Sequence, residues 1–206
     1  MKKKGFFNKG VLILSLLFSI LIGSKIYAHS TDVHSGSWDT TTTSLGIAVG
    51  TSLSSYLSSF QSWYSGWNGI SSNAGLSSPY SQSTLDSTPH FARINMIGVD
   101  LGSTGDWAGT CNYKYNFIFG YTCDWEGSWK DSIIKFNTNT DSTTKKGYSF
   151  HSSDLKKKIF LHELGHSFGL AHPADTSEVA IMKQGDNGYY TIQQHDKNVL
   201  KSKYGN

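Results

Sequence analysis

Between His162 and His172 the chain reads HELGHSFGLAH, and no other stretch constrains the fold as strongly. His162 and His166 are four residues apart, a spacing that puts two side chains on one face of an α-helix, one turn apart. The residues before them prepare such a helix. Ser152, Ser153 or Asp154 can cap it, and Leu155, Ile159, His162 and His166, spaced by 4, 3 and 4, share a face. Gly169 supplies the stop, because glycine accepts the left-handed backbone that ends many helices. The helix therefore has to finish by about Leu170. A turn at Gly169 can then bring His172 back toward the first two histidines.

Imidazoles at this spacing point to a metal, and the residue types point to zinc. Three protein ligands, His162, His166 and His172, leave a position open for water, which is the catalytic arrangement and not the closed structural one. Glu163 adjoins the first ligand and is the candidate catalytic residue. The expected chemistry is hydrolysis of a peptide bond by a zinc-activated water, with Glu163 as general base and then as general acid toward the departing amine.

The rest of the chain sets the context. Lys2, Lys3, Lys4 and Lys9 precede an apolar run from Val11 to Ile22, and Ile26-Tyr27-Ala28 ends on a small residue. This is the three-part pattern of a secretory signal peptide over residues 1–28. Twelve apolar residues are few for a bilayer span, so cleavage is expected over anchoring, and the product is expected to be secreted with no stable membrane anchor. The full chain carries +3, and losing the five lysines of residues 1–28 leaves −2. No basic patch then argues for nucleic acid. Cys111 and Cys123, an even pair in an exported chain, are expected to form a disulfide.

Residues 29–206 are long enough for one domain, and a monomer is expected. Residues 29–43 look like an extended lead-in and Ser44 to Gly50 like a strand. Ser52 to about Trp67 has helical periodicity. Residues 71–90 read as loop with room for one short strand. Arg93–Asp100 and Asp131–Asn137 read as strands, Gly102–Ser128 as irregular, Asn139–Ser149 as polar loop, and Ile192–Tyr204 as a final helix. The tally is α+β.

HExxHxxGxxH is the zinc signature of the metzincin peptidases, and this chain resembles them. That family carries a methionine turn downstream, and Met182 in Ala180-Ile181-Met182 looks like it. Within metzincins the chain is most similar to the matrixins, the matrix-metallopeptidase-type catalytic domains, in a small bacterial secreted form. Ile134-Lys135-Phe136-Asn137 before a polar loop, Pro173 after His172, Trp67 closing the first helix, and Gln194-His195-Asp196 through Tyr204-Gly205 carry that likeness, which spans roughly residues 37–206. Gln184 stands where astacins and serralysins have tyrosine, and with both cysteines inside the catalytic region no cysteine-switch propeptide is expected.

The resemblance implies a zincin-like fold: a twisted mixed sheet packed on helices, with a zinc-binding active-site helix and the methionine turn. It also implies a peptide or protein substrate held extended along an edge strand. Gly105 to Thr110 is matched to that strand, with Trp107, Ala108 and Gly109 as substrate-binding residues. Lys183 to Tyr190 is matched to a specificity wall, with Tyr189 and Tyr190 lining it. Calcium is possible at Asp100, Asp106, Asp124, Glu126, Asp131 or Asp141, although scattered loop acids are usually just solvated. His29, His34, His90, His151 and His195 lack ligand spacing. Two other readings stay open. One is a zinc-dependent binding or adhesion protein without turnover, against which the retained Glu163 argues. The other is a narrow processing or cell-wall-linked peptidase, which chain length does not separate from a general one.

Overall fold

The computed structural model describes residues 32–118 and 120–206, so the signal segment lies outside the described residues. In chain order the elements are β1 (Ser37–Trp38), β2 (Thr42–Leu45), β3 (Ile47–Gly50), α1 (Leu57–Trp63), β4 (Ala74–Leu76), β5 (Tyr80–Gln82), β6 (Ile94–Val99), β7 (Ala108–Asn116), β8 (Gly120–Cys123), β9 (Ser128–Trp129), β10 (Asp131–Asn137), α2 (Ser153–Ser167) and α3 (Gln194–Tyr204). Short 3₁₀ turns at Thr51–Tyr56 and Tyr64–Trp67 extend α1 at both ends. The architecture is α+β.

A six-stranded mixed sheet has the order β5-β3-β6-β10-β7-β8. Strands β5, β3, β6 and β10 run parallel, and β7 and β8 are antiparallel additions on one side. Two small parallel pairs, β1-β9 and β2-β4, lie outside it. Central β10 reads DSIIKFN and is buried at every position but Lys135, as expected of a strand covered on both faces.

Helix α2 packs against β7, β10 and α1. An aromatic cluster ties these layers together. The Phe60 and Phe160 rings stack at 4.5 Å, Phe60 and Phe136 at 5.4 Å, and Tyr148 meets Phe136 edge-on at 4.8 Å. Pairs of this geometry add about 0.5–1.5 kcal/mol each beyond the area they bury. The Trp67 indole donates to Leu161 O at 2.9 Å and that of Trp38 to Ser167 O at 3.1 Å, pinning α2 at two turns.

Several expectations need correction. Ser44–Gly50 is not one strand. The chain breaks at Gly46, and β2 and β3 join different sheets. Residues 71–90 contain two short strands, β4 and β5. The larger correction is Gly102–Ser128, read as irregular. It holds nine-residue β7 and its hairpin partner β8, with Tyr113 opposite Cys123 and Asn116 opposite Gly120. The Gly- and Trp-rich composition hid this hairpin because β7 is only half-buried and lacks an apolar face. Cys111 and Cys123 are joined by a disulfide with their Cα atoms 5.7 Å apart, locking the two strands.

Candidate metal centre and cleft

Helix α2 starts where the Ser152 hydroxyl accepts the Leu155 N–H at 3.2 Å. It ends in a Schellman turn. Leu170 N–H reaches back to Gly165 O at 3.0 Å and Gly169 N–H to His166 O at 2.8 Å. Gly169 has φ +78°, and a Cβ there would stand 2.9 Å from the Lys203 side chain, so only glycine fits both the conformation and the space. Contrary to a simple amphipathic reading, α2 is buried on most sides, with Lys158, His162 and Glu163 inside along with its leucines.

The turn brings His172 beside His162 and His166. Their three Nε2 atoms form a nearly equilateral triangle with sides of 3.1, 3.2 and 3.2 Å. Among the described residues they are the one group of three or more His, Cys, Asp or Glu side chains close enough to share a metal ion. His162 Nδ1 lies 2.9 Å from Ile181 O and His166 Nδ1 lies 2.7 Å from Leu170 O. A carbonyl only accepts, so each Nδ1 carries the proton and each Nε2 presents a lone pair to the centre. Burial, then neighbouring imidazoles, pushes His162 well below the usual histidine range and His166 to about 3. His172 is lowered by burial and by Lys158. Burial thus disfavours the charged form of all three, and for His162 and His166 the backbone carbonyls also fix the tautomer that points a lone pair at the centre.

Glu163 is buried, and its carboxylate accepts the Thr110 hydroxyl at 2.6 Å. Burial pushes this carboxyl up to about 7, against the hydrogen bond from Thr110 and with help from Asp106. Met182 is buried below α2, in contact with the position a Gly165 Cβ would occupy, and Trp67 closes the same space at 2.9 Å. Gly165→Ala is therefore expected to overpack this floor and cost about 1–3 kcal/mol. Urea denaturation measures it, and a change under half a kilocalorie would mean that Met182 yields freely.

Distant residues brace the centre. Ile181 and Met182 N–H donate to the two Asp196 carboxylate oxygens on α3 at 2.8 and 3.2 Å. Ile181 thus links His162 to Asp196. The segment holding His172 is clamped by Asp32, whose carbonyl accepts Ala171 N–H at 2.8 Å and whose carboxylate accepts Ala174 N–H at 2.9 Å. Asp32 also faces His195 Nε2 at 3.3 Å, and His195 Nδ1 faces Glu178 at 3.2 Å.

The triangle opens into a cleft of about 670 Å³ lined by Trp107, Ala108, Gly109 and Thr110 on one side and Gln184 and Gly185 on another. Asn137 N–H donates to Trp107 O at 2.9 Å, and with the β7–β10 register this turns Gly109 toward β10. By alternation the backbone groups of Ala108 and Thr110 face away from β10, where β8 does not reach. Trp107 is partly buried and leans on His151 at 4.7 Å.

Tyr189 and Tyr190 do not line the cleft. Asp186 and Asn187 cap a turn through Gly188 that carries the chain past it, and the Tyr190 hydroxyl points to Asp186. Of the acids suggested for calcium, Asp131 pairs with His90, Asp124 with Lys114, and Asp100 accepts Asn139. Sequence reasoning missed Lys158, His34 and Trp125, which all line the cleft. His34 and Trp125 stack at 4.3 Å, an association across the chain with no local signal, whereas Lys158, one turn before His162, was legible from helical spacing.

No family model and no curated protein matches the chain. Among solved structures it is similar to myroilysin at 11% identity, covering 82% of this chain and 96% of that one, with a TM-score of 0.47. A likeness this distant leaves family and activity to be argued from the site itself.

Proposed function

We propose that this chain is a secreted zinc metalloendopeptidase of the metzincin type, matrixin-like, with His162, His166 and His172 as ligands and Glu163 as the catalytic base. The observation that carries the reading is the triangle of three imidazole Nε2 atoms beside a buried carboxylate in an open cleft. Tetrahedral zinc with nitrogens at 2.0–2.1 Å spans about 3.3 Å between ligands. The sides of 3.1–3.2 Å fit that requirement. Neutral imidazoles whose lone pairs converge this closely call for a cation between them.

A bound zinc ion would supply Lewis acidity toward a scissile carbonyl and lower the pKa of water. The chain's own residues do the rest. The outward backbone of Ala108 and Thr110 pairs with an extended peptide as an added strand. Thr110 holds the Glu163 carboxylate in place, and Glu163 takes a proton from the attacking water and delivers it to the departing amine. Met182 and Trp67 support the helix from below.

The test is metal-dependent cleavage. The exported protein is expected to bind one zinc per chain and to cleave a peptide library, to lose both on chelation, and to regain both when zinc is restored. Tight metal binding without cleavage of any peptide would favour a zinc-dependent binding protein instead.

A further inference from the structure

The cleft contains a charge that the catalytic proposal does not use. Lys158 lies on α2 one turn before His162 and is only 3% exposed, yet it lines the cleft alongside Glu163 and Gly185. Its ammonium donates to Lys183 O at 2.9 Å and to Gly185 O. Two carbonyls satisfy two of its three N–H bonds but supply no counter-charge. Among the described residues no carboxylate lies within ion-pair distance of it. Asp186, Asp196 and Glu163 attract it from beyond contact distance, and each makes its hydrogen bonds to other partners. Both Asp196 oxygens accept backbone N–H groups, Glu163 accepts Thr110, and Asp186 is exposed and closes its own turn with Gly188 N–H.

A buried ammonium with no carboxylate in contact is costly, and it is stabilised by whatever carboxylate can reach it. Residues four apart on a helix are about 6 Å apart. An extended peptide advances about 3.3 Å per residue. A side chain flanking the bond held at the metal centre is therefore within reach of Lys158.

We infer that Lys158 is a specificity-determining residue that selects peptides carrying Asp or Glu next to the scissile bond. The inference rests on the peptidase reading for its substrate class. The carboxylate would accept the third Lys158 N–H and provide the missing counter-charge. Lysine or arginine at the same position would be repelled, and an apolar side chain would leave the ammonium without a contacting anion.

The experiment uses end-blocked peptides that differ only in the residue on either side of one bond, compared as Glu, Gln, Leu and Lys. On one side of the bond, the zinc-loaded protein is expected to give a kcat/KM for Glu at least about tenfold above Gln, as a charge-assisted hydrogen bond in a desolvated site allows. Lys158→Arg should keep the preference, and Lys158→Met should lose it while still cleaving the Leu peptide. Binding of the same peptides to Glu163→Gln protein reads the preference without turnover. Equal values for Glu and Gln in the unaltered protein, in cleavage or in binding, overturn the inference whether or not the variants fold. Failure of every peptide to be cleaved sinks the peptidase reading, and the binding series then decides the role of Lys158 separately.

Discussion

Glu163→Ala is expected to fold, to keep its zinc, and to lose peptide hydrolysis by about 10²- to 10⁴-fold in kcat, the usual contribution of a positioned general base. The effect should fall on kcat and not on KM. In the proposed mechanism the peptide is held by the backbone of β7, whereas Glu163 acts on a proton that moves only during reaction. Folding should be spared, because the change removes a buried carboxyl whose own burial raises its pKa, and the Thr110 hydroxyl also approaches Glu163 O, at 3.1 Å. Steady-state kinetics with zinc content measured on the same sample is the check. Less than a tenfold loss at full zinc occupancy would remove Glu163 from the mechanism. Thr110→Val should give a smaller loss of the same kind, since Thr110 only orients that carboxylate.

Asp196→Ala is expected to be the most damaging substitution for stability outside the centre, at roughly 3–5 kcal/mol. Asp196 is fully buried and accepts three backbone N–H groups, from Ile181, Met182 and Gln193. Alanine leaves all three without this acceptor, those of Ile181 and Met182 in the interior. It also frees the segment whose carbonyl orients His162, so zinc affinity should fall about 10- to 100-fold, as when other partners behind metal ligands are removed. Thermal unfolding with and without zinc measures both parts. Asp196→Asn keeps one acceptor oxygen and should lie between. A loss under 1 kcal/mol for the alanine variant would show that α3 does not hold this turn.

Much of the centre was readable because its information is local. The i, i+4 histidine pair, the serine cap and the glycine stop depend on helix geometry over a few residues, and α2 runs from Ser153 to Ser167 behind the Ser152 cap. β10 occupies Asp131–Asn137, the stretch whose apolar run marked it as a strand. The β7–β8 hairpin escaped because much of it faces solvent. Gly109, Tyr115 and Asn116 are exposed, so no apolar alternation announces a strand, and pairing with β10 and the disulfide holds it instead. The tyrosines at 189 and 190 were placed by analogy of position, and the turn through Gly188 carries them elsewhere.

The sequence alone therefore determined which side chains could meet a metal and where the helix presenting them must end. Only the tertiary structure decided what surrounds them. His162 is oriented by a carbonyl 19 residues away, Glu163 by a hydroxyl 53 residues away, and the segment holding His172 by Asp32, bonded to Ala174 across 142 residues. Periodicity and capping act within one or two turns, but burial and hydrogen-bond satisfaction are settled by whichever distant segments pack together. For the same reason the sequence could put Lys158 one turn from the first ligand, while its burial in the cleft without a carboxylate partner appears only once β7, α3 and the Met182 turn enclose that helix.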